Sequence, residues 1–289
     1  MNKLAKAVAI TAFTPIAAFA QSASKIDVPL PKTLATPGKL TVGINCAYPP
    51  AGFVGLDGKP SGYEVSIVKK IAIFAFGSES GLETHCVNDG NRIPFLQSGK
   101  VDMVLASLAY TAKRAEQIDY SDPIWVSNLQ LVVPKDSPIN SYADLKGKKV
   151  VTPTGSTYQT WLEKCHPEAD LLTAQTPSEL STMLTQGRVD AFAYVDVYNY
   201  NFAAKNTNYK VVGALAASAI QGVGVNKGNA EMMIWLNAVL EEFRKNDVYF
   251  KAFASEVKDD AFVAKYRPVV PGPNVKLDYS QALNADCKS

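Results

Sequence analysis

Two hydrophobic periods take turns along this chain. KLTVGI (residues 39–44) is a short apolar run of strand length. A loop follows, NCAYPPAGFVGLDGKPSG, punctuated by Pro49, Pro50, Gly52, Gly55 and Asp57-Gly58. YEVSIVKKIAIFAF then places Val65, Val68, Ile71, Ala72 and Ala75 at helical spacing. LETHCV predicts a strand. NRIPFLQSG predicts a short helix with Pro94 in its first turn and Gly99 at its end. VDMVLASL predicts a strand buried on both faces. Strand–helix–strand–helix–strand implies parallel strands joined by crossover helices.

The pattern then restarts. KKVVTPTG reads as strand and loop, STYQTWLEKC as helix, DLLTAQ as strand, PSELSTMLTQG as helix and RVDAFAYV as strand. FLQSGKVDMVLA (95–106) and MLTQGRVDAFAY (183–194) echo each other: helix end, Gly, basic residue, Val-Asp, buried strand. That repeat predicts two lobes of similar topology. Two further strand-like segments, LQLVVPKDS (129–137) and AIQGVGVNKG (219–228), lead into the second lobe and back to the helix AEMMIWLNAVLEEFRKN, whose stripe is Met233, Leu236, Leu240 and Phe243. The predicted fold is α/β, with two lobes on a two-strand hinge and a ligand cleft between them, lined by the carboxyl ends of strands. Lobe 1 is expected over 39–131 plus 226–280 and lobe 2 over 133–225, with an unpatterned arm at 21–38 and a C-terminal tail at 281–289.

The first twenty residues stand apart. MNKLAKAVAITAFTPIAAFA has Lys3 and Lys6, an apolar middle and Ala18-Phe19-Ala20, the pattern of a cleaved secretory signal peptide. Export to the periplasm is the expectation, and no later stretch is long and apolar enough to span a bilayer. Removing Lys3 and Lys6 leaves 27 basic residues against 27 acidic ones. A near-neutral protein argues against nucleic acid as a partner, because backbone binding needs clustered positive charge. Four cysteines in an exported chain favour disulfides. Cys46 and Cys86 each fall near a strand end in the same half and are the favoured pair; Cys165 with Cys287 follows by elimination. With no C-x-x-C and only His85 and His166, no zinc site and no cofactor is expected.

Several polar residues are expected at the cleft. The first strand leads to Asn45 and Tyr48, the third to Ser107 and Ala109, with Arg114 one loop further. A guanidinium there matches a carboxylate with two parallel hydrogen bonds. In the second lobe, Gly155-Ser156-Thr157 precede a helix, whose first N–H groups form an anion site. A carboxylate gripped by Arg114 from one lobe and by these amides from the other would favour closure. Taken singly, each has a plainer reading: Arg114 as solvated charge, Ser156 as a helix cap, Tyr48 as loop packing.

With these segments in order and spacing, the chain resembles family 3 solute-binding proteins, the periplasmic receptors of polar amino acid ABC importers. LTVGINCAYPPAGFVGLDGKPSGYEVSIVKKIA, NRIPFLQSGKVDMVLASLAYTAKRAEQIDYSDPIW, LVVPKDSPINSYADLKGKKVVTPTGSTYQTWL and GRVDAFAYVD carry the likeness, over about 39–250. The resemblance implies a type II two-lobed fold closing around one amino acid, a monomer whose partners are the permease subunits of an ABC transporter. It implies that Arg114 holds the α-carboxylate, Tyr48 stacks on the ligand, Ser107 touches it, and Ser156 and Thr157 are lobe-two carboxylate contacts. The NRIP start of the second helix resembles binders of acidic and amide amino acids.

The departures from the family pattern are as informative. Asn45 stands where Asp is frequent, Ala51 where an aromatic is, and Ala109 where Ser or Thr is, leaving only its backbone N–H. The ammonium-binding Asp is expected at 195, which is Val; Asp196 comes one residue later. A one-residue shift in a strand reverses the side chain's face. Either a bulge returns Asp196 to the ligand, or ammonium recognition differs and a non-amino carboxylate gains weight. Tyr110 and Trp125 are placed near the cleft edge. A different class, an exported dehydratase like those acting on prephenate or arogenate, would need a cleft acid for proton transfer, with Glu64 the nearest candidate. No nucleophile–base pair is evident, so a non-catalytic binder is the expected class.

Overall fold

The computed structural model describes residues 26–281 and Cys287. The signal peptide expected at 1–20 and tail residues 282–286, 288 and 289 lie outside the described residues. Among the described residues no helix is long and apolar enough to cross a membrane.

The first sheet contains β1 (Leu40–Asn45), β2 (Leu82–Val87), β3 (Met103–Val104) and β4 (Ile118–Tyr120). The second contains β5 (Trp125–Pro134), β6 (Lys149–Pro153), β7 (Asp170–Ala174), β8 (Ala191–Val195) and β9 (Tyr209–Gln221). The last strand, β10 (Gly224–Asn226), returns to the first sheet. The orders are β2-β1-β3-β10-β4 and β7-β6-β8-β5-β9. In each, three neighbouring strands pair in parallel and β10 or β5 runs antiparallel to both of its neighbours, so four of the five strands run one way. This is the type II binding-protein topology, two α/β lobes with a two-strand hinge.

The chain changes sheets at Ser121–Ile124 and again at Gly222–Val223, where Ser121 N–H donates to Val223 O and Val223 N–H to Ser121 Oγ, both at 2.9 Å. The sequence placed the first change near 131–133. Residues 125–131 instead pair in the second sheet, from Trp125↔Gln221 to Leu131↔Ala193. A continuous apolar run reads alike in either sheet, so its pattern does not show where it crosses.

The internal echo has a structural cause. Gly99 and Gly187 each end a helix with positive φ (71° and 67°), and the next residue's N–H reaches back to Phe95 O and Met183 O respectively. Asp102 and Asp190 then each exchange two hydrogen bonds with the adjacent parallel strand of their own sheet, β1 or β6. Asp102 accepts from Thr41 N–H on Oδ2 (2.7 Å) and returns its own N–H to Thr41 O (2.8 Å). Asp190 does the same with Lys149, at 2.8 Å both ways.

Helices cover the sheets. The first sheet carries α1 (Tyr63–Phe76) and α2 (Arg92–Gln97), and the second α3 (Thr157–Cys165), α4 (Pro177–Thr185) and α5 (Asp196–Lys205). Past β10 come α6 (Ala230–Lys245), α7 (Val248–Glu256) and α8 (Asp260–Tyr266). Phe243 of α6 and Phe253 of α7 pack on Phe74 and Tyr63 of α1. Residues 26–38, the described part of the arm at 21–38, pack on the first lobe: Lys32–Ala35 forms a helical turn and Leu34 is fully buried in the core. Trp125 is not at the cleft edge either. It is 2% exposed, between Tyr63, Phe253 and Tyr266. Both expected disulfides, Cys46–Cys86 and Cys165–Cys287, are formed.

Candidate functional site

The carboxyl ends of β1–β3 and β6–β8 face each other, and the loops after them meet. Arg114 is the clearest bridge: Nη1 donates to Ala109 O (2.8 Å) and Nη2 crosses to Gly155 O (2.9 Å). Thr111 caps the helical turn that carries it, its Oγ1 accepting from Arg114 N–H. Ser178 Oγ also crosses between lobes, donating to Ala47 O (3.0 Å). The two lobes are therefore closed on one another.

Two cavities lie between them. The larger, ≈ 760 Å³, is lined by Arg114, Tyr110, Asp89, Gly155, Ser156 and Thr157 among others. The smaller, ≈ 10 Å³, has room for about one water and is lined by Asp89, Arg92, Ser107, Ala109, Ser156 and Thr157, with Tyr158, Tyr194, Val195 and Gln221. Asp89, Ser156 and Thr157 belong to both.

Most of the expected site is thus gathered: Ser107, Ala109, Arg114, Ser156 and Thr157. Ser156 is the N-cap of α3, its Oγ accepting from Gln159 N–H (3.1 Å). The N–H groups of Thr157 and Tyr158 open that helix, where no intrahelical acceptor exists. Burial, with Arg92 nearby, lowers the Arg114 pKa to about 10, so the guanidinium stays charged at neutral pH.

Three expected residues are not in the lining. Asn45 is buried and turns its Oδ1 to Ala47 N–H (3.0 Å), stabilising the bend after β1. Tyr48 is 1% exposed, packed on Tyr194 and Tyr198 of the second lobe. Asp196 starts α5 and faces away from the cavities. Its Oδ1 accepts from Val197 N–H (3.0 Å), its Oδ2 from Asn128 Nδ2 (3.0 Å), and Tyr266 bonds it as well. No bulge returns it to the cleft, because α5 begins immediately after β8 and Val195 takes the inward position. Burial raises the Asp196 pKa above the usual carboxylate range. Ala51 is fully buried in the core and lines neither cavity.

Sequence reasoning missed Asp89 and Arg92. Arg92 is 2% exposed; its Nη1 donates to Ala106 O (2.7 Å) and Ser107 O (3.2 Å), its Nη2 to Asp89 Oδ1 (2.9 Å). Glu64 lies behind them, its Oε1 accepting from Ser107 N–H (2.9 Å) and Oγ–H (2.8 Å). Burial pushes its pKa up to about 7, against those two bonds and Arg92. Arg92 and Glu64 both bond Ser107, which has a positive φ of 51°, and β3 is two residues long where a longer strand was expected. The signal that could have found Arg92 was the NRIP motif; nothing in the pattern marked Asp89.

Residues 40–255 match the family described as bacterial extracellular solute-binding proteins, family 3. The chain belongs to that family. It is 30% identical to the ABC transporter glutamine-binding protein GlnH of Bacillus subtilis (strain 168) over 204 residues, 70% of this chain and 75% of that protein. It is 29% identical to the L-cystine-binding protein TcyJ of Escherichia coli (strain K12), over 72% and 79%. The solute receptor for L-cysteine of Neisseria gonorrhoeae superposes with a TM-score of 0.75 at 31% identity, over 78% of this chain and 92% of that one. The ancestral amino acid-binding protein AncCDT-1, a precursor of cyclohexadienyl dehydratase, superposes with a TM-score of 0.72 at 26% identity, over 78% and 98%.

Proposed function

We propose that the protein is a cleft-closing receptor for a small polar amino acid, exported to the periplasm and serving as the substrate-binding component of an ABC importer. The observation that carries this is Arg114, which reaches from the first lobe to the start of α3 in the second. A ligand carboxylate taking the place of Gly155 O would be held by the guanidinium and by the α3 amides together, joining the lobes through the ligand. Arg92 at the smaller cavity adds a second guanidinium, which favours a side chain ending in an amide or a carboxylate. Relatives named for glutamine and for L-glutamate/L-aspartate support the same class. On this reading the receptor is a monomer that delivers to permease subunits, and lobe 2 is the segment between the two sheet crossings.

A thermal-shift screen of L-amino acids, their deaminated analogues and simple dicarboxylates tests the reading. A bound ligand raises the melting temperature by mass action. One or two amino acids are expected to do so. Arg114→Ala is expected to weaken them by about 100-fold, the scale for removing one partner of a desolvated charge pair. A shift seen only with acids lacking an amine would make this a carboxylate receptor instead.

Catalysis is a second reading, favoured by one observation: a buried carboxyl with a pKa of about 7, Glu64, bonded to a cavity-lining serine. That is the property of a general acid. Consumption of prephenate by the purified protein would support it; recovery of a tightly bound amino acid unchanged would exclude it.

A further inference from the structure

We infer that Asp89, on the loop before α2, is the group that receives the ligand's ammonium. This rests on the reading of the cleft as an amino acid site and specifies how that site binds a cation. An amino acid brings a positive charge into the cleft between the lobes, and such a charge left unpaired as it is desolvated is costly. Among the described residues, no carboxylate of the second lobe lines either cavity. Val195 presents an apolar side chain to the smaller cavity, and Asp196 spends both oxygens on Asn128, Val197 and Tyr266.

Among the described residues lining either cavity, Asp89 is the carboxylate, and it lines both. Its side chain is 6% exposed. Oδ1 takes the Arg92 bond, while Oδ2 is buried with no hydrogen-bond partner. An acceptor left so is short of a donor, and a charged acceptor more than a neutral one. The loop is built to hold this side chain in place. Asn88 Oδ1 accepts from Gly90 N–H and Asn91 N–H (3.0 Å each), and Asn91 Oδ1 accepts from Asn88 N–H (2.8 Å). The arrangement sets an anionic group and Arg114 on the wall of one cavity, with Ser156 and Thr157 beside both. A zwitterion fits it with its carboxylate toward Arg114 and its ammonium toward Asp89 Oδ2.

The competing role for Asp89 is to position Arg92 only. Calorimetric titration separates the two through a ratio of affinities. The probes are the L-amino acids that shift the wild-type protein, each beside the acid lacking its amine, such as glutarate for L-glutamate. Asp89→Asn keeps an acceptor for Arg92 but removes the charge. The preference for the amine-bearing ligand is expected to fall by at least about thirty-fold, with the affinity for the deaminated acid held or raised. Asp196→Asn is expected to leave the preference intact. Asp89→Ser, which is smaller, gives the same readout if Asn at this position impairs folding.

The inference is overturned if Asp89→Asn weakens both ligands by the same factor, which is the mark of a positioning role. It is also overturned if Asp196→Asn abolishes the preference, or if wild-type protein binds the deaminated acids as well as the amino acids. Absence of binding by every amino acid and acid would instead overturn the reading of the cleft, and the Asp89 assignment with it.

Discussion

Glu64 concentrates the residue-scale consequences of this site. The residue is 2% exposed, touches Ser107 through two hydrogen bonds, and has Arg92, Asp89, Tyr63, Tyr48 and Tyr194 among its charged or titratable neighbours. Folding raises its pKa from 4.5 to about 7. The folded state therefore binds more protons than the unfolded chain between those values, and stability falls as pH rises through that window. Below about 4.5 both states are protonated and the penalty vanishes; above 7 it is complete, about 3 kcal/mol. Glu64→Gln is thus expected to melt above the wild type at pH 8 and close to it at pH 4.5, measured by calorimetry at both pH values. An unchanged difference across the range would mean that folding does not raise the Glu64 pKa. At this scale the sequence was only partly legible. Arg114 and the α3 start follow from motif and capping chemistry. The facing of Asp196 turned on a single residue of register, and Asp89 lies in a loop that has no period to read.

At the scale of elements, the repeated Gly–basic–Val–Asp motif does the same task twice. Gly99 and Gly187 adopt the left-handed conformation after their helices, and a Cβ at either would meet open space. The cost of alanine there is backbone strain alone, about 1–2 kcal/mol at each position. Gly99→Ala and Gly187→Ala should therefore lower stability by similar amounts in denaturant titration, and the double variant by their sum, since they lie in different lobes. A much larger loss at one site would show that its helix end is coupled to the cleft. Strands β1, β6 and β8 and the bounds of α1 were legible because their apolar spacing is unbroken. The shortness of β3 was not, because the backbone just after it, Ala106 O and Ser107 N–H, turns to the side chains of Arg92 and Glu64, which lie outside the segment. Helices α7 and α8 were not reached by the sequence reading; Tyr266 of α8 nonetheless meets Asp196, tying the end of the chain to the second lobe.

For the whole molecule, the tail adds a further connection. Tyr279 hydrogen-bonds Ser121 O at the hinge (2.7 Å) and stacks on Tyr110 (4.6 Å), and Cys287 is bonded to Cys165 at the end of α3 in the second lobe. The two disulfides close spans of 122 and 40 residues. In the chain-entropy view they are worth about 5 and about 4 kcal/mol respectively. Replacing Cys165 and Cys287 by serine should accordingly lower the melting temperature at least as far as replacing Cys46 and Cys86; the opposite order would show that the tail bond leaves the folded state strained. The same spans set a timetable. A chain made from its N-terminus can oxidise Cys46 with Cys86 as soon as β1 and β2 have met, while most of the protein is still to come. Cys165 has no such early partner. It must stay reduced while 122 further positions are added, through the completion of its own lobe and the return of the chain to the first. During that interval the candidates for wrong pairing are Cys46 and Cys86, both already made, and the early closing of the first bond removes them before Cys287 arrives.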